Sequence, residues 1–422
     1  MISFWRIFWL ELVSLVRSRT VATLAAVCAA WVLVFPMVVR GDGTASGVRE
    51  LCIRYSLGGV FAVLSVSLLA AATGSIARER KARRLQLTMI RPIHLSVLAL
   101  GKILAHGTVG ALILAGACAY VGFRLGFSER CSHVLPPDLP PIAEEAEAMY
   151  AAALKDPTTP EEMRRAEKSR VLRLLTQRAL DRYQTIQTNA VATWTFGGLE
   201  GIGSREGLAV RLRFTNPMEL RQDVVGVFRL GACRGGVSNI TQAVLEVPLA
   251  VVPADADGPD ARTLTFVNRG KSAVMLRPRR DLELLVPADA FGWNLFRAYL
   301  TMVSVLLLLV SAGVLLSAAF GRPVALFVAF SVLIVGEMSP SVVEQYPDGM
   351  ETNWADRMGL RLTRAAAQVT RPLSSLSPLE SLAQGTCVER TDVLRALALD
   401  AVLLPLLFSL LVAFVLPRKT ED

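Results

Sequence analysis

Six stretches of this sequence, roughly 20–39, 56–77, 97–123, 295–320, 323–340 and 393–416, are apolar over about the length of a bilayer-crossing helix. An α-helix rises about 1.5 Å per residue, so about 20 such residues cross a hydrocarbon core ~30 Å thick. Lipid offers no partner to a backbone N–H or C=O, and a helix satisfies both within its own segment. Composition agrees: 53% of the 422 residues are hydrophobic and only 19% are charged. We therefore expect a polytopic α-helical membrane protein with six transmembrane helices. The long polar stretch from 124 to 292 is expected to form an extracytoplasmic α+β insertion between helices 3 and 4.

Lys and Arg near span ends set the orientation. Arg6, Arg17 and Arg19 precede span 1. Arg78, Arg80, Lys81, Arg83, Arg84, Arg91 and Lys102 lie between or just beyond spans 2 and 3. Arg322 separates spans 4 and 5, and Arg418 and Lys419 follow span 6. With six spans all four sites fall on one side, which is the cytoplasmic side by this rule, so both termini are expected there. The opposing loop 40–55 carries Arg40, Arg49 and Arg54. The insertion and the loop 341–392 then lie outside the cytoplasm. An inner (cytoplasmic) membrane, multi-pass location follows.

The net charge of +9 is a weak pointer to nucleic acid, because basic residues at membrane ends raise the charge of any such chain. The most basic strip, "RERKARRLQLTMIRPI" (78–93), lacks the interleaved aromatics of a single-strand binder. No nucleic-acid partner is expected.

Residues 1–19 read as an amphipathic helix on the membrane surface. Phe4, Ile7, Phe8, Leu12 and Leu15 recur at helical spacing, Arg6 and Glu11 interrupt them, and Trp5 and Trp9 suit the headgroup level. A leader with a cleaved apolar core is the lesser reading, since 20–39 is longer than such cores.

Within the insertion, 124–192 is charged and rich in helix formers, as in "IAEEAEAMYAAAL" (142–154). Thr159, Pro160 and Glu162 carry a helix-start pattern. From about 193 to 292 the period changes to two. In "LAVRLRF" (208–214), Leu208, Val210, Leu212 and Phe214 share one face, and Arg211 and Arg213 the other. Several such runs, separated by Gly, Pro, Asn and Asp, predict a β-sandwich-like domain. "NRGKSA" (268–273) lacks the first glycine of a phosphate loop, because Thr265 stands there, and reads as a turn.

Cys28 and Cys118 fall inside spans. Cys52, Cys131, Cys233 and Cys387 fall outside the cytoplasm, where four cysteines allow three pairings or four free thiols. A Cys131–Cys233 bridge would staple the start of the insertion to its sandwich. His94, His106 and His133 stand alone, and no Cys or His spacing fits a metal site. No catalytic constellation is legible. Glu337 in span 5 and Asp400 in span 6 are ionisable groups at membrane depth and are candidates for a translocation path.

The frame of surface helix, six spans and basic segment between spans 2 and 3 resembles the membrane permease subunit of ABC-2 type (type V) ABC exporters. In that family a cytoplasmic coupling helix joins spans 2 and 3, with Glu, a Leu-rich stretch, Pro, and Gly-Lys opening span 3. Glu79, Leu85, Leu87, Pro92 and Gly101-Lys102 match in order; Arg83 and Arg84 replace Gly-Thr, and Gln86 replaces a second Glu. "PLSSLSPLESLAQGT" (372–386) is similar to the family's segment before the last span. The resemblance covers about 1–123 and 293–422, and not the insertion.

What it implies is a coupling segment over 78–96 within 20–123. Glu79, Arg83, Arg84, Leu85, Leu87 and Pro92 would then meet a separate ABC ATPase subunit. A second permease subunit, in a homodimer, and membrane lipids complete the expected assembly. The chain has no G-x-x-x-x-G-K-[ST] motif. It is therefore expected to be no enzyme and to bind no cofactor, with ATP and Mg on the partner ATPase. The competing reading is a membrane-anchored sensor or adhesin whose β-domain binds a ligand without transport. A mechanotransmission subunit fits less well, because its large domain usually follows span 1.

Overall fold

The computed structural model describes residues 2–38, 45–83, 94–127, 130–138, 142–155, parts of 171–178, 184–197, 207–213, 225–231, 233–238, 244–251, 263–271, 273–276, 281–345, parts of 358–361, and 378–418. The chain divides into two units, one of Met1–Cys131 with Asp289–Asp422 and one of Ser132–Ala288. The first is helical and the second carries most of the strands.

Among the described residues of the first unit, five helices are long and apolar enough to cross a membrane: Arg19–Val38, Gly47–Lys81, Leu95–Leu125, Phe291–Ala319 and Arg390–Leu416. The protein is thus a membrane protein by the length and composition of its helices. The expected fifth span falls on the helix Arg322–Gln345. Its apolar described portion, Arg322–Val335, is shorter than a crossing helix needs.

We label the helices in chain order. The surface helix α1 is Ile2–Val16 and α2 is Arg19–Val38. Next come α3 (Ala45–Leu51), a π-helical turn Cys52–Leu57, α4 (Gly58–Ala72) and α5 (Ser75–Lys81). Part of the expected loop 40–55 is therefore helix. Arg49 and Arg54 sit on it, and Arg54 pairs with Glu50 one turn back, N to O 3.3 Å. Hydropathy misses this turn because charged residues at a span end can remain helical while reaching out of the apolar zone. The helix α6 is Leu95–Leu125. Gly126, at φ 85, ends it and donates to the Gly122 carbonyl.

After the insertion come α8 (Phe291–Ala319) and α9 (Arg322–Gln345); α7 (Ile142–Lys155) belongs to the insertion. The last elements are α10 (Pro378–Ala383), α11 (Arg390–Ala396), a second π segment Leu397–Leu403 and α12 (Leu404–Arg418).

The helix α8 is the centre of this unit, touching α4, α5, α6, α11 and α12. In a bilayer, lipid covers an apolar side chain as well as a neighbouring helix does, so close fit and not water exclusion holds helices together. The sequence supplies small residues where helices meet. A Cβ at Gly313 would come within 2.8 Å of Ala72 Cβ, and Gly110 and Gly107 admit Leu68 and Leu307. Ser304 and Ser311 are buried on α8 and return their hydroxyls to the carbonyls of Leu300 and Leu308. Large apolar residues such as Met37, Phe327, Ile334, Leu410 and Phe414 remain exposed, as a lipid-facing surface requires.

In the second unit, two sheets share one apolar core. One has strand order β1 (Arg130–Leu135), β11 (Leu282–Ala290), β4 (Ala209–Arg213), β7 (Val244–Pro248). The other runs β3 (Val191–Thr195), β9 (Thr263–Asn268), β5 (Val225–Leu230), β6 (Cys233–Ser238), β8 (Ala250–Val251). A short ladder joins β2 (Thr185–Ile186) to β10 (Val274–Met275).

Alternation decides which side faces in. Val210 and Leu212 of β4 point to the core with Trp194, Phe228 and Phe266 from the other sheet. Arg211 points to the opposite face. It lies in register between Glu283 and Glu246 and pairs with them at 3.6 and 2.8 Å. At the start of "NRGKSA", Asn268 Oδ1 accepts the Gly270 amide at 2.9 Å, which turns the chain there.

Candidate functional site

The best-built polar site among the described residues lies where α4 gives way to α5. Thr73 and Gly74 interrupt the helix, and α5 restarts at Ser75 with free amides at its first turn. A buried serine of another helix supplies the cap. Ser317 Oγ accepts the Ile76 amide at 3.1 Å and the Ala77 amide at 3.0 Å. The return contact comes from Arg80. Its guanidinium donates to the carbonyls of Ala318 (3.5 Å) and Phe320 (3.2 Å), at the carbonyl end of α8. A cation is favoured there by the helix dipole. The two helix ends cap each other, so α5 cannot tilt without breaking contacts at the end of α8.

Removing the Ser317 hydroxyl isolates one cap. Ser317→Ala is expected to cost about 1 kcal/mol at this helix start. Hydrogen exchange at the Ile76 and Ala77 amides should then accelerate about fivefold, the factor that 1 kcal/mol implies. Unchanged exchange at both would show that the cap is not needed.

A buried cation ties the same helix to two others. Lys102 stands two turns into α6 with its side chain 2% exposed. Its ammonium lies 2.6 Å from Glu79 of α5 and 3.2 Å from Glu11 of α1. An ammonium out of water needs such partners, because an unpaired buried charge is very costly. The preceding residue makes room. A Cβ on Gly101 would come within 2.8 Å of Ile7 Cγ2, so glycine lets α1 lie against α6. The Gly101-Lys102 pair therefore does two jobs at adjacent positions: close approach, then charge.

His106, one turn further, donates from Nδ1 to the Lys102 carbonyl at 2.9 Å. Its buried Nε2 has no partner among the described residues. It borders an apolar cleft of about 390 Å³ with Leu15, Leu24, Val63 and Leu68.

The expected site residues distribute as follows. Glu79 is in the buried-lysine cluster. Arg83 ends the α5 turn at φ 57, exposed. Arg84, Leu85, Leu87 and Pro92 lie outside the described residues. Glu337 is on α9, and its side chain lies outside the described residues. Asp400 is buried in the π segment packed against α8, and its Oδ1 has no hydrogen-bond partner among the described residues.

The Cys131–Cys233 bridge, one of the pairings the sequence allows, is not the contact seen. Cys131 Sγ lies 2.7 Å from Cys387 Sγ, and Cys233 is buried in the sheet core opposite Leu230. The sequence leaves the pairings open because the Cys387 contact joins positions 256 residues apart.

The sequence presents Glu11 only as an interruption of the surface-helix stripe, Lys102 only in the Gly-Lys match, and Ser317 not at all. Two of them carried a signal: Glu11 and Lys102 are isolated opposite charges in apolar helices, and such charges tend to find each other. Ser317 carried none, because a serine in a span is common.

Comparison with protein-family models, with curated proteins and with solved structures found no match in any of the three.

Proposed function

We propose that this chain is the membrane-spanning permease subunit of an ABC-2 type transporter, working as an exporter. It would transmit ATP hydrolysis on a separate ATPase subunit into movement of its spans. The observation that carries the reading is the seating of α5. The segment expected to meet the ATPase begins on a helix tied to α8 by Ser317 and Arg80, and to α6 and α1 through Lys102. Force applied to Arg78–Arg83 would enter three helices at once and not dissipate in a loop. In this reading the α5 end faces the cytoplasm, six segments cross the membrane, the insertion lies outside, and a second copy completes the pathway. Nucleotide and Mg belong to the partner. Arg83, Arg84, Leu85, Leu87 and Pro92 are the proposed contact surface.

Purification through a tag on this chain, from its native cell in mild detergent, tests the proposal. A nucleotide-binding subunit should accompany it in about one-to-one ratio. Leu85→Ser, Leu87→Ser and Pro92→Ala combined should release that subunit. If no such subunit is retained by the wild-type chain, the exporter reading fails.

The reading as a membrane-anchored sensor or adhesin has one observation in its favour. A cleft of about 420 Å³ on the five-stranded sheet is lined by Arg229, Arg234 and Arg269 beside Gly235 and Gly236. That surface has the charge to meet an acidic ligand. Retention of the ATPase decides against this reading as the whole function.

A further inference from the structure

At the end of the helical unit opposite α5, two cysteines meet although hundreds of residues separate them in the chain. Cys131 follows α6 at the start of β1, and Cys387 lies between α10 and α11. Their sulfurs are 2.7 Å apart. The surroundings hold both backbones in place. Gly385, at φ 70, turns the chain out of α10. Asn294 of α8 then grips the residues on either side of Cys387. Its Nδ2 donates to the Thr386 carbonyl at 2.8 Å, and its Oδ1 accepts the Val388 amide at 2.7 Å. Asn294 is fully buried. On the other side, Cys131 Sγ donates to the Asp289 carbonyl at 3.1 Å. The Asp289 carboxylate is itself held by Arg297 at 2.6 Å. The fold thus positions the two thiols independently of any bond between them.

We propose that Cys131 and Cys387 form a disulfide in the mature protein, joining the end of the third crossing segment to the stretch that precedes the last one. The pairing rests on this end lying outside the cytoplasm, where disulfides form and persist; it does not depend on what the protein transports.

The chemistry is ordinary thiol–disulfide exchange. Cys387 is the attacking group. The contact with Cys131 brings its thiol down to about 7 from the ordinary 9.0, while Cys131 is raised by the same contact and by burial. The Cys387 thiolate attacks one sulfur of an oxidising protein disulfide. That disulfide's S–S bond breaks, its second sulfur leaves as a thiolate, and a mixed disulfide forms. Cys131 then gives up its proton and its sulfur displaces the oxidant from Cys387. The two cysteines lose two electrons and two protons, and the oxidant departs as a dithiol.

The bridge would hold the segment around Thr386–Val388 against the start of α8 with a covalent bond as well as with Asn294. It would also enclose the whole insertion in a covalent loop.

The test uses the full chain, purified from its native cells after quenching with N-ethylmaleimide and digested without reductant. One peptide pair linking Cys131 to Cys387 is expected by mass spectrometry. It should vanish in Cys131→Ser and in Cys387→Ser, with the remaining partner then alkylated. A conservative second variant, Asn294→Asp, keeps an acceptor for the Val388 amide but removes the donor to the Thr386 carbonyl, and should reduce the linked fraction. Finding both cysteines alkylated in the wild type, or Cys131 linked to Cys233, overturns the proposal. Accessibility of the terminal tag to protease in intact cells reads orientation separately, and retention of the ATPase reads the transport function separately. A failed disulfide on a correctly oriented, ATPase-bound chain therefore counts against the disulfide alone.

Discussion

Lys102→Met is expected to destabilise the helical unit by about 3 kcal/mol, the scale seen when one partner of a buried ion pair is removed. The side chain fits the same space, so the loss is electrostatic. Glu11 and Glu79, 23% and 29% exposed, would be left facing each other with no cation between them. Two nearby carboxylates that lose their ammonium either repel or take up a proton, and both routes cost stability. The triple variant Lys102→Met, Glu11→Gln, Glu79→Gln should recover most of it, because apolar or neutral replacements of a whole buried charge group are often neutral. Thermal unfolding of the detergent-solubilised protein measures both. A single variant as stable as wild type would mean that water reaches Lys102 and that the cluster is no clamp. In the triple variant the proposed coupling can be read apart from stability. Stimulation of the ATPase should remain low even where the melting temperature returns, because α5 would be seated but no longer tied to α1 and α6.

The second large effect is expected in the insertion. Phe266 is fully buried, packs against Phe228 at a centroid separation of 4.6 Å, and fills the space above Gly226. Phe266→Ala should cost about 4 kcal/mol, the range for emptying a buried aromatic position. A domain of this size has a net stability of about 5–15 kcal/mol, so a large part of it would be lost. The insertion should become a fast protease substrate at temperatures where the wild type resists. The helical unit has its own core, centred on Leu64, Ile103, Met302 and Leu306. It should therefore keep its own melting transition. If both transitions fall together by the same amount, the two units do not unfold separately.

Much of the architecture was legible in the chain because two periodicities are hard to disguise. The runs 20–39, 97–123 and 295–320 lie within a few residues of Arg19–Val38, Leu95–Leu125 and Phe291–Ala319. The stripe Phe4, Ile7, Phe8, Leu12, Leu15 is the half-buried side of α1, and Trp5 and Trp9 are exposed. Leu208, Val210 and Leu212 face the sheet core as their alternation required. Less visible were the features in which a local rule gives way to distant partners. The helical turn over Ala45–Leu51 reads as a polar loop until its arginines are placed: Arg54 reaches back to Glu50, and Arg49 packs against Gly385. The sequence leaves the partner of Cys131 open, and Asn294 and Gly385 bring Cys387 to it.

What the sequence by itself determined is a membrane chain interrupted by a half-buried β region, since burial periodicity depends only on each segment's own side chains. What only the tertiary structure decided is which charges meet. Glu11 and Glu79 share Lys102 because Gly101 admits α1 to the surface of α6, and Ser317 holds α5 because the end of α8 arrives there. Each of these contacts joins segments separated in the chain. No local pattern encodes such a meeting; it exists only once the helices have packed.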